Sequence, residues 1–350
     1  MTKSLNKKVA IGMSGGVDSS TTAVLLKEQG YDVIGITALM NKSSDVATKA
    51  KEVCDKFGIE HHILDLSEKF EKEVIDYFTD SYKNGQTPNP CIVCNKKIKW
   101  GVLYNYAINT LGADYFATGH YANIAKNEDG YFLTKAKDTQ KDQLYFLFEL
   151  TQEQLSKTLF PMGDFDKTQV REIAQKYDIP TKNNKDSQDI CFIPSPDTTK
   201  KFLFREFGEK EGYFVDINTN KVLGKHNGYY QFTTGQRKGI GISAPNPLYV
   251  VDVDPQQNSV LVGYKENLYK QELEILSPNF QQKSYTGREF RALTKIRYNS
   301  KAAHSLIIPN NIDNSIRIIF DEPQSAITKG QAAVIYSPDG SSLIGGGWIK

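Results

Sequence analysis

The sequence predicts an α/β protein in three parts: an N-terminal doubly wound parallel sheet, a small β-rich central domain and a C-terminal β-barrel. Three observations carry this. Between residues 7 and 120 short apolar runs alternate with amphipathic stretches, as β-α-β units require. From about residue 212 the chain turns to short alternating strands punctuated by Asn218-Thr219-Asn220 and Pro255-Gln256-Gln257-Asn258. From about 272 to the end, five or six strands recur at the spacing of a small barrel. The expected domains are residues 1–205, 206–271 and 272–350.

In the first domain, strands are expected at 9–13, 33–40, 62–66 and 115–118, with helices running to Gly30, to Gly58, over 68–81 and over 96–111. A hairpin follows, 121–125 with 131–134 about Asp129-Gly130, then helices near 144–155 and 168–177. Strands at 213–217 and 248–253 mark the central part, and those near 289–297, 305–308, 316–320, 332–336 and 343–349 the barrel. A parallel, doubly wound sheet binds ligands beyond the carboxyl ends of its strands, so the first loop should face the active site.

Composition narrows the function classes. The 350 residues carry 43 Lys and Arg against 41 Asp and Glu, which excludes a polybasic tail or an acidic disordered chain. No window approaches the roughly 18–20 apolar residues of a membrane helix, and no signal-peptide apolar region follows Met1, so a cytoplasmic protein with no membrane partner is expected. Four cysteines are too few for a disulfide scaffold.

The first loop reads Gly12-Met13-Ser14-Gly15-Gly16-Val17-Asp18-Ser19 between a strand and a helix. Glycines permit close backbone approach, hydroxyls add donors, and the helix start supplies free N–H groups, which together make a phosphate cradle. It lacks the Lys of a Walker loop and the spacing of a dinucleotide loop. Ser-Gly-Gly-Val-Asp-Ser resembles the pyrophosphate loop of the ATP pyrophosphatases, which adenylate a carbonyl or carboxyl oxygen; on that resemblance Asp18 is a candidate Mg2+ contact.

Among the cysteines, Cys54 lies at helical spacing with Val46, Ala50, Val53 and Phe57 and reads as core. Cys91 and Cys94 follow Thr87-Pro88-Asn89-Pro90, and Cys94 is expected near a helix start where the dipole and Lys96, Lys97 and Lys99 favour its thiolate. A structural zinc half-site is the blander reading, but no second Cys or His pair exists to complete it. Cys191, in Ile190-Cys191-Phe192-Ile193-Pro194, reads equally as a core residue or, with Cys94, as half of a persulfide and resolving-thiol pair.

Across nearly the whole chain the motifs run in one order: the loop at 12–19, Thr87-Pro88-Asn89-Pro90 with Cys94-Asn95-Lys96, Ala117-Thr118-Gly119-His120-Tyr121, Lys141-Asp142-Gln143, Ile190-Cys191-Phe192-Ile193, Gly235-Gln236-Arg237-Lys238-Gly239, Arg297-Tyr298 and Gly330-Gln331. Jointly they resemble the tRNA-specific 2-thiouridylases of the MnmA/TrmU family. The resemblance implies that the N-terminal domain adenylates the C2 oxygen of the wobble uridine of tRNA(Lys), tRNA(Glu) and tRNA(Gln), using ATP and Mg2+. It implies a persulfide on Cys191 and Cys94 as nucleophile, ending in a transient Cys94–Cys191 disulfide. ATP contacts would be residues 12–19, Ala38 and Gly119, with Ala38, Leu39 and Met40 all open as the adenine contact. Asn89, Pro90 and Cys91 would line the target-base pocket; His120, Lys141, Asp142, Gln143, Arg297, Tyr298 and Gln331 would contact tRNA. A sulfur-donor relay protein or cysteine desulfurase is the implied partner.

Charge patterning fits an RNA partner: residues 283–301 hold six basic side chains against Glu289 alone, and 225–241 add Lys225, Arg237 and Lys238 among Tyr229, Tyr230 and Phe232. Two departures from the family pattern stand out. Many members carry Asp where this chain has Cys91, so either Cys91 only lines the pocket, or Cys91, Cys94 and Cys191 hold an iron–sulfur cluster with one open iron. The acidic insertion common after the second strand is replaced by Asn41-Lys42-Ser43-Ser44 leading into a helix, which leaves the sulfur donor open. Competing readings are another pyrophosphatase-type ligase, which would need neither Cys94 nor Cys191, and a tRNA- or metal-binding module without catalysis.

Overall fold

The computed structural model describes residues 7–41, 45–184, 190–193, 196–310 and 312–350. The Lys42-Ser43-Ser44 passage, residues 185–189 before Cys191, and Pro194 lie outside the described residues.

The N-terminal sheet has five parallel strands in the order Glu60–Asp65, Asp32–Leu39, Lys8–Gly12, Tyr115–Ala117, Thr158–Leu159. Val9, Ala10 and Ile11 are fully buried, as a strand covered on both faces demands. Helix Val17–Glu28 and helix Val46–Phe57 make the first two crossovers. The second of these ends at Gly58 in the left-handed conformation, φ 59°. Cys54 is fully buried between this helix and Gly35, whose missing side chain leaves room for the sulfur. Strand order reverses between Lys8–Gly12 and Tyr115–Ala117, so a crevice opens beyond their carboxyl ends, walled by loops 13–16 and 118–120.

Several elements differ from expectation. The helix expected over 96–111 starts at Pro90: Asn89 caps it, its Oδ1 accepting from Ile92 N at 3.4 Å, and Pro90 takes the first helical position. The helix continues through π-helical turns at Asn95–Leu103 and Tyr106–Thr110. The expected helix 144–155 is two pieces, Leu144–Leu147 and Gln152–Ser156, the latter started by a reciprocal Thr151–Gln154 capping box.

The central unit is a four-stranded sheet in the order Tyr249–Asp254, Ser259–Gly263, Gly212–Asp216, Val222–His226, with helix Thr199–Phe207 contributing Leu203 to its core. The C-terminal unit is a closed six-stranded antiparallel barrel, shut by the long strand Tyr269–Phe280, which pairs with both Ser315–Ser325 and Leu343–Ile349. Its outer face packs on residues 144–150: Val334, Tyr336 and Leu343 share a core with Leu144, Leu147 and Phe148, and Tyr145 Oη donates to Ala332 O at 2.9 Å. No helix of the described residues is long and apolar enough to cross a membrane.

Candidate active site

The phosphate loop is held open by its own side chains. Ser14 N donates to Ser19 Oγ at 3.2 Å, the Ser14 and Ser19 hydroxyls lie 3.0 Å apart, and Ser20 Oγ donates to Gly16 O at 2.8 Å. Gly15 adopts φ 66° against Val46 O and Lys49, where a side chain would be both strained and crowded. Gly16 caps helix Val17–Glu28 without any side-chain bond to the first-turn amides, leaving those N–H groups and the positive dipole end for an anion. Gly119 closes the crevice from the neighbouring strand: a Cβ there would sit 2.7 Å from Ser19 N and 2.9 Å from Asp18 C. Ala38 lies, half-buried, at the carboxyl end of Asp32–Leu39 on the same rim. Gly119→Ala should therefore raise the KM for ATP about tenfold by displacing the helix start; an unchanged ATP titration would show that the loop absorbs the methyl group.

Sequence reasoning missed Lys167. Its Nζ donates to both carboxylate oxygens of Asp18, at 2.7 and 2.9 Å, and Tyr121 Oη donates to Asp18 Oδ1 at 2.8 Å. The pair is half-buried. Lys167 begins helix Lys167–Lys176, which Asp166 caps together with Gln169. The Asp-x-x-Gln spacing signals that helix start, but nothing local signals a partner 149 positions away. Magnesium takes one or two carboxylates and fills its remaining positions with substrate phosphates and water, and could bind this carboxylate only where the Lys167 ammonium gives way. Asp18 would be that carboxylate.

Helix Pro90–Cys94 and the Cys191 turn share one apolar cluster. Cys94 is buried with Phe70, Val74, Val93 and Ile98, and Phe192, next to Cys191, packs against this same cluster. Phe192 makes edge contacts with Phe70, Phe78 and Phe202 at 5.2–5.9 Å, which pins the Cys191 turn there. Cys91 and Cys191 are exposed, and all four cysteines are free. The expected easy Cys94 thiolate is not what the structure holds: burial pushes that thiol up to about 12, with Lys99 opposing and the Cys91 and Cys191 sulfurs reinforcing the shift. The helix start lies four residues earlier than the thiolate reading requires, and the other two lysines are diverted, Lys96 to Glu149 at 2.8 Å and Lys97 to Glu73 at 3.4 Å. Desolvation by surrounding atoms also raises Cys91 and Cys191, again against Lys99. Iodoacetamide should thus label Cys91 and Cys191 first, and the Cys94 rate should keep climbing from pH 8 to 10 as its thiolate fraction grows. A Cys94 rate that levels off by pH 8 on peptide mass spectrometry would refute this.

The cluster reading meets an obstacle. Although the three thiols influence one another, no group of three or more His, Cys, Asp or Glu among the described residues converges to hold a metal ion. No step through a cluster is derived.

The residues expected to touch tRNA are spread over the face between sheet and barrel, and several already carry structural bonds. His120 is buried; its Nδ1 lies 2.7 Å from Thr118 Oγ1 and its Nε2 3.2 Å from Lys99 Nζ, and burial then Lys99 hold the ring neutral. Asp142 accepts from Ala136 N and Leu144 N, Gln143 Oε1 accepts from Tyr121 N, and burial raises the Asp142 carboxyl. Lys141 is half-buried beside them. Tyr298 packs on Phe146 at 4.5 Å, and Arg297 donates to Ser325 O while lying 3.9 Å from the position of a Gly235 side chain, which joins the 235–239 loop to the barrel. Gln331 donates to Thr87 O and Pro88 O, at 3.0 and 2.9 Å. Two expectations need correction. Tyr229, Tyr230 and Phe232 are core residues of the central unit and offer no stacking platform. Lys225 is paired with Glu211, and Arg291 with Asp321, which removes both from the free positive stripe.

Residues 7–195 match the family described as tRNA methyl transferase HUP domain, 200–264 the tRNA methyl transferase PRC-barrel domain, and 270–349 the aminomethyltransferase beta-barrel domain. The chain is 45% identical over 363 aligned residues to the tRNA-specific 2-thiouridylase MnmA of Clostridioides difficile, covering 99% of each chain. It is 44% identical to that of Clostridium acetobutylicum, covering 99% of this chain and 100% of that one, and 43% identical to that of Rippkaea orientalis, covering 98% and 99%. With likeness at that level along its full length, and a pyrophosphate-type loop at the switch point of its sheet, the chain belongs to the MnmA family of tRNA-specific 2-thiouridylases.

Proposed function

We propose that this protein thiolates C2 of the wobble uridine in tRNA(Lys), tRNA(Glu) and tRNA(Gln), with ATP as activator and a Cys191 persulfide as sulfur carrier. Residues 1–205 act as the adenylating domain, with 206–271 and 272–350 holding tRNA. The observation that carries this reading is that Cys94 and Phe192, next to Cys191, share one apolar cluster with Ala38 from the rim of the phosphate crevice.

The uridine O2 attacks the α-phosphorus of ATP, forming an O–P bond and breaking the one to pyrophosphate, which leaves. The first-turn amides of helix Val17–Glu28 and Lys167 offset the charge gathering on the departing phosphates. Magnesium on Asp18 would supply charge neutralisation there. The terminal persulfide sulfur then attacks C2 of the adenylated base, a carbon whose oxygen now departs as part of AMP. Cys94, having lost its proton, attacks the Cys191 sulfur; the S–S bond breaks and its electron pair goes to the sulfur remaining on C2. The protein is left with a Cys94–Cys191 disulfide, which an external dithiol reduces. Burial suits Cys94 to wait: neutral in the resting enzyme, it cannot consume the persulfide early. Exposed Cys91 walls the entry for a flipped base, and buried Asn89 and Pro90 fix it from beneath as cap and first residue of the helix. The sulfur reaches Cys191 from a desulfurase or a relay protein.

Unmodified transcripts of the three tRNAs, incubated with protein, ATP, Mg2+, cysteine and a cysteine desulfurase, should each yield 2-thiouridine with one pyrophosphate per base. Pyrophosphate release independent of tRNA, or a product lacking sulfur, would favour a ligase of the wider pyrophosphatase class.

A further inference from the structure

The nucleophile segment is gripped at both ends by the barrel. Ahead of it, Gln331 donates both amide hydrogens to backbone carbonyls, Thr87 O at 3.0 Å and Pro88 O at 2.9 Å, and Thr87 N donates to Lys329 O at 2.9 Å. Gly330, at φ 84°, admits this approach, because a Cβ there would lie 2.9 Å from Gln86 Cβ and 3.1 Å from Thr87 O. Behind the segment, the Glu149 carboxylate, almost fully buried, accepts from Lys96 Nζ at 2.8 Å and from Trp348 Nε1 at 2.9 Å. Trp348 stands in the last barrel strand, and Lys96 is two residues past Cys94.

We propose that the C-terminal barrel positions the Asn89–Cys94 segment for the sulfur-transfer step, with Gln331 and the Trp348–Glu149–Lys96 chain as its two positioning grips. These grips join residues far apart in sequence, Gln331 and Trp348 of the barrel region and Glu149, at the two ends of this one segment. Neither reaches the phosphate crevice, whose walls are loops 13–16 and 118–120. Loosening a grip therefore acts on the thiol step and spares adenylation. A shift of about 1 Å at a reacting centre costs up to ~100-fold, so bonds of ordinary strength are enough to matter. Gln331 is thereby more than a surface contact for tRNA: its amide is committed to the turn that feeds the nucleophile.

The inference rests on the thiolation reading above, and the test separates the two. Full-length Gln331→Leu and Trp348→Phe, the second keeping an aromatic ring while losing the N–H, are each compared with the unaltered protein on unmodified tRNA(Lys) transcript with ATP, Mg2+, cysteine and a cysteine desulfurase. The tRNA dissociation constant, the pyrophosphate burst and the 2-thiouridine rate are measured together. Expected for Trp348→Phe is a tRNA affinity and pyrophosphate burst within twofold of the unaltered protein, and for both variants, at saturating tRNA, a 2-thiouridine rate lower by about tenfold. Parallel loss of burst and thiolation, or loss wholly accounted for by weaker tRNA binding, overturns the positioning role, as does an unchanged thiolation rate. If one variant does not fold, by circular dichroism, the other decides. Absence of tRNA-dependent pyrophosphate and thiouridine from the unaltered protein would instead sink the thiolation reading.

Discussion

Replacing Cys191 by serine should reduce 2-thiouridine to below about 1% of the unaltered level while tRNA-dependent pyrophosphate release continues. A hydroxyl cannot form the S–S bond that stores the transferable sulfur, so the carrier is lost outright. Among the described residues the phosphate loop makes no hydrogen bond to this side chain: Cys191 sits in a turn closed by Ile193 N donating to Ile190 O at 2.9 Å and pinned by Phe192 against Phe70, Phe78 and Phe202. Because the residue is exposed, serine should fold normally. Quantifying thiouridine by nucleoside mass spectrometry beside a pyrophosphate assay separates the two halves of the reaction. Retained thiolation would remove Cys191 from the mechanism. Cys94→Ser should differ, since the persulfide still forms on Cys191 and still attacks the activated base, leaving Cys191 joined to C2 through an uncleaved disulfide, visible as a covalent protein–tRNA species that a dithiol releases.

The second large effect is expected at Lys167. Lys167→Met keeps the stem and removes the ammonium, and should lower the pyrophosphate burst by about 100-fold or more, the scale of losing one preorganised charge at a reacting phosphate. In the structure this ammonium binds both oxygens of Asp18, with Tyr121 Oη on the same carboxylate, so Asp18 and Lys167 act as one unit. The double variant Asp18→Asn with Lys167→Met should accordingly fall little below the worse single variant, the non-additivity of coupled groups. A burst in Lys167→Met within threefold of the unaltered protein would show that the ammonium serves only to hold Asp18 between turnovers.

The parts of the fold that could be read without coordinates were those written in local pattern. The continuous apolar run Val9–Ile11, the Gly-rich loop and a helix behind it specify a buried strand and an anion site within a dozen residues, because backbone conformation and hydrogen bonding there are decided locally. The closed barrel was likewise legible from strand spacing, although its long closing strand Tyr269–Phe280 was not. Asn89-Pro90 suits a turn and a helix cap alike, and only the amide of Ile92 distinguishes them.

By itself, then, the sequence determined the three-part α/β architecture, the phosphate loop and Cys54 as a core residue. Tertiary structure alone decided the electrostatics. Two of the three helix lysines near Cys94, Lys96 and Lys97, are neutralised by Glu149 and Glu73, Asp18 is claimed by Lys167, and Tyr229, Tyr230 and Phe232 are buried rather than presented. Each outcome depends on which distant side chain or surface comes to lie within a few ångströms, and on how much water packing leaves there; a thiol among Phe70, Val74 and Ile98 keeps its proton whatever charges flank it along the chain.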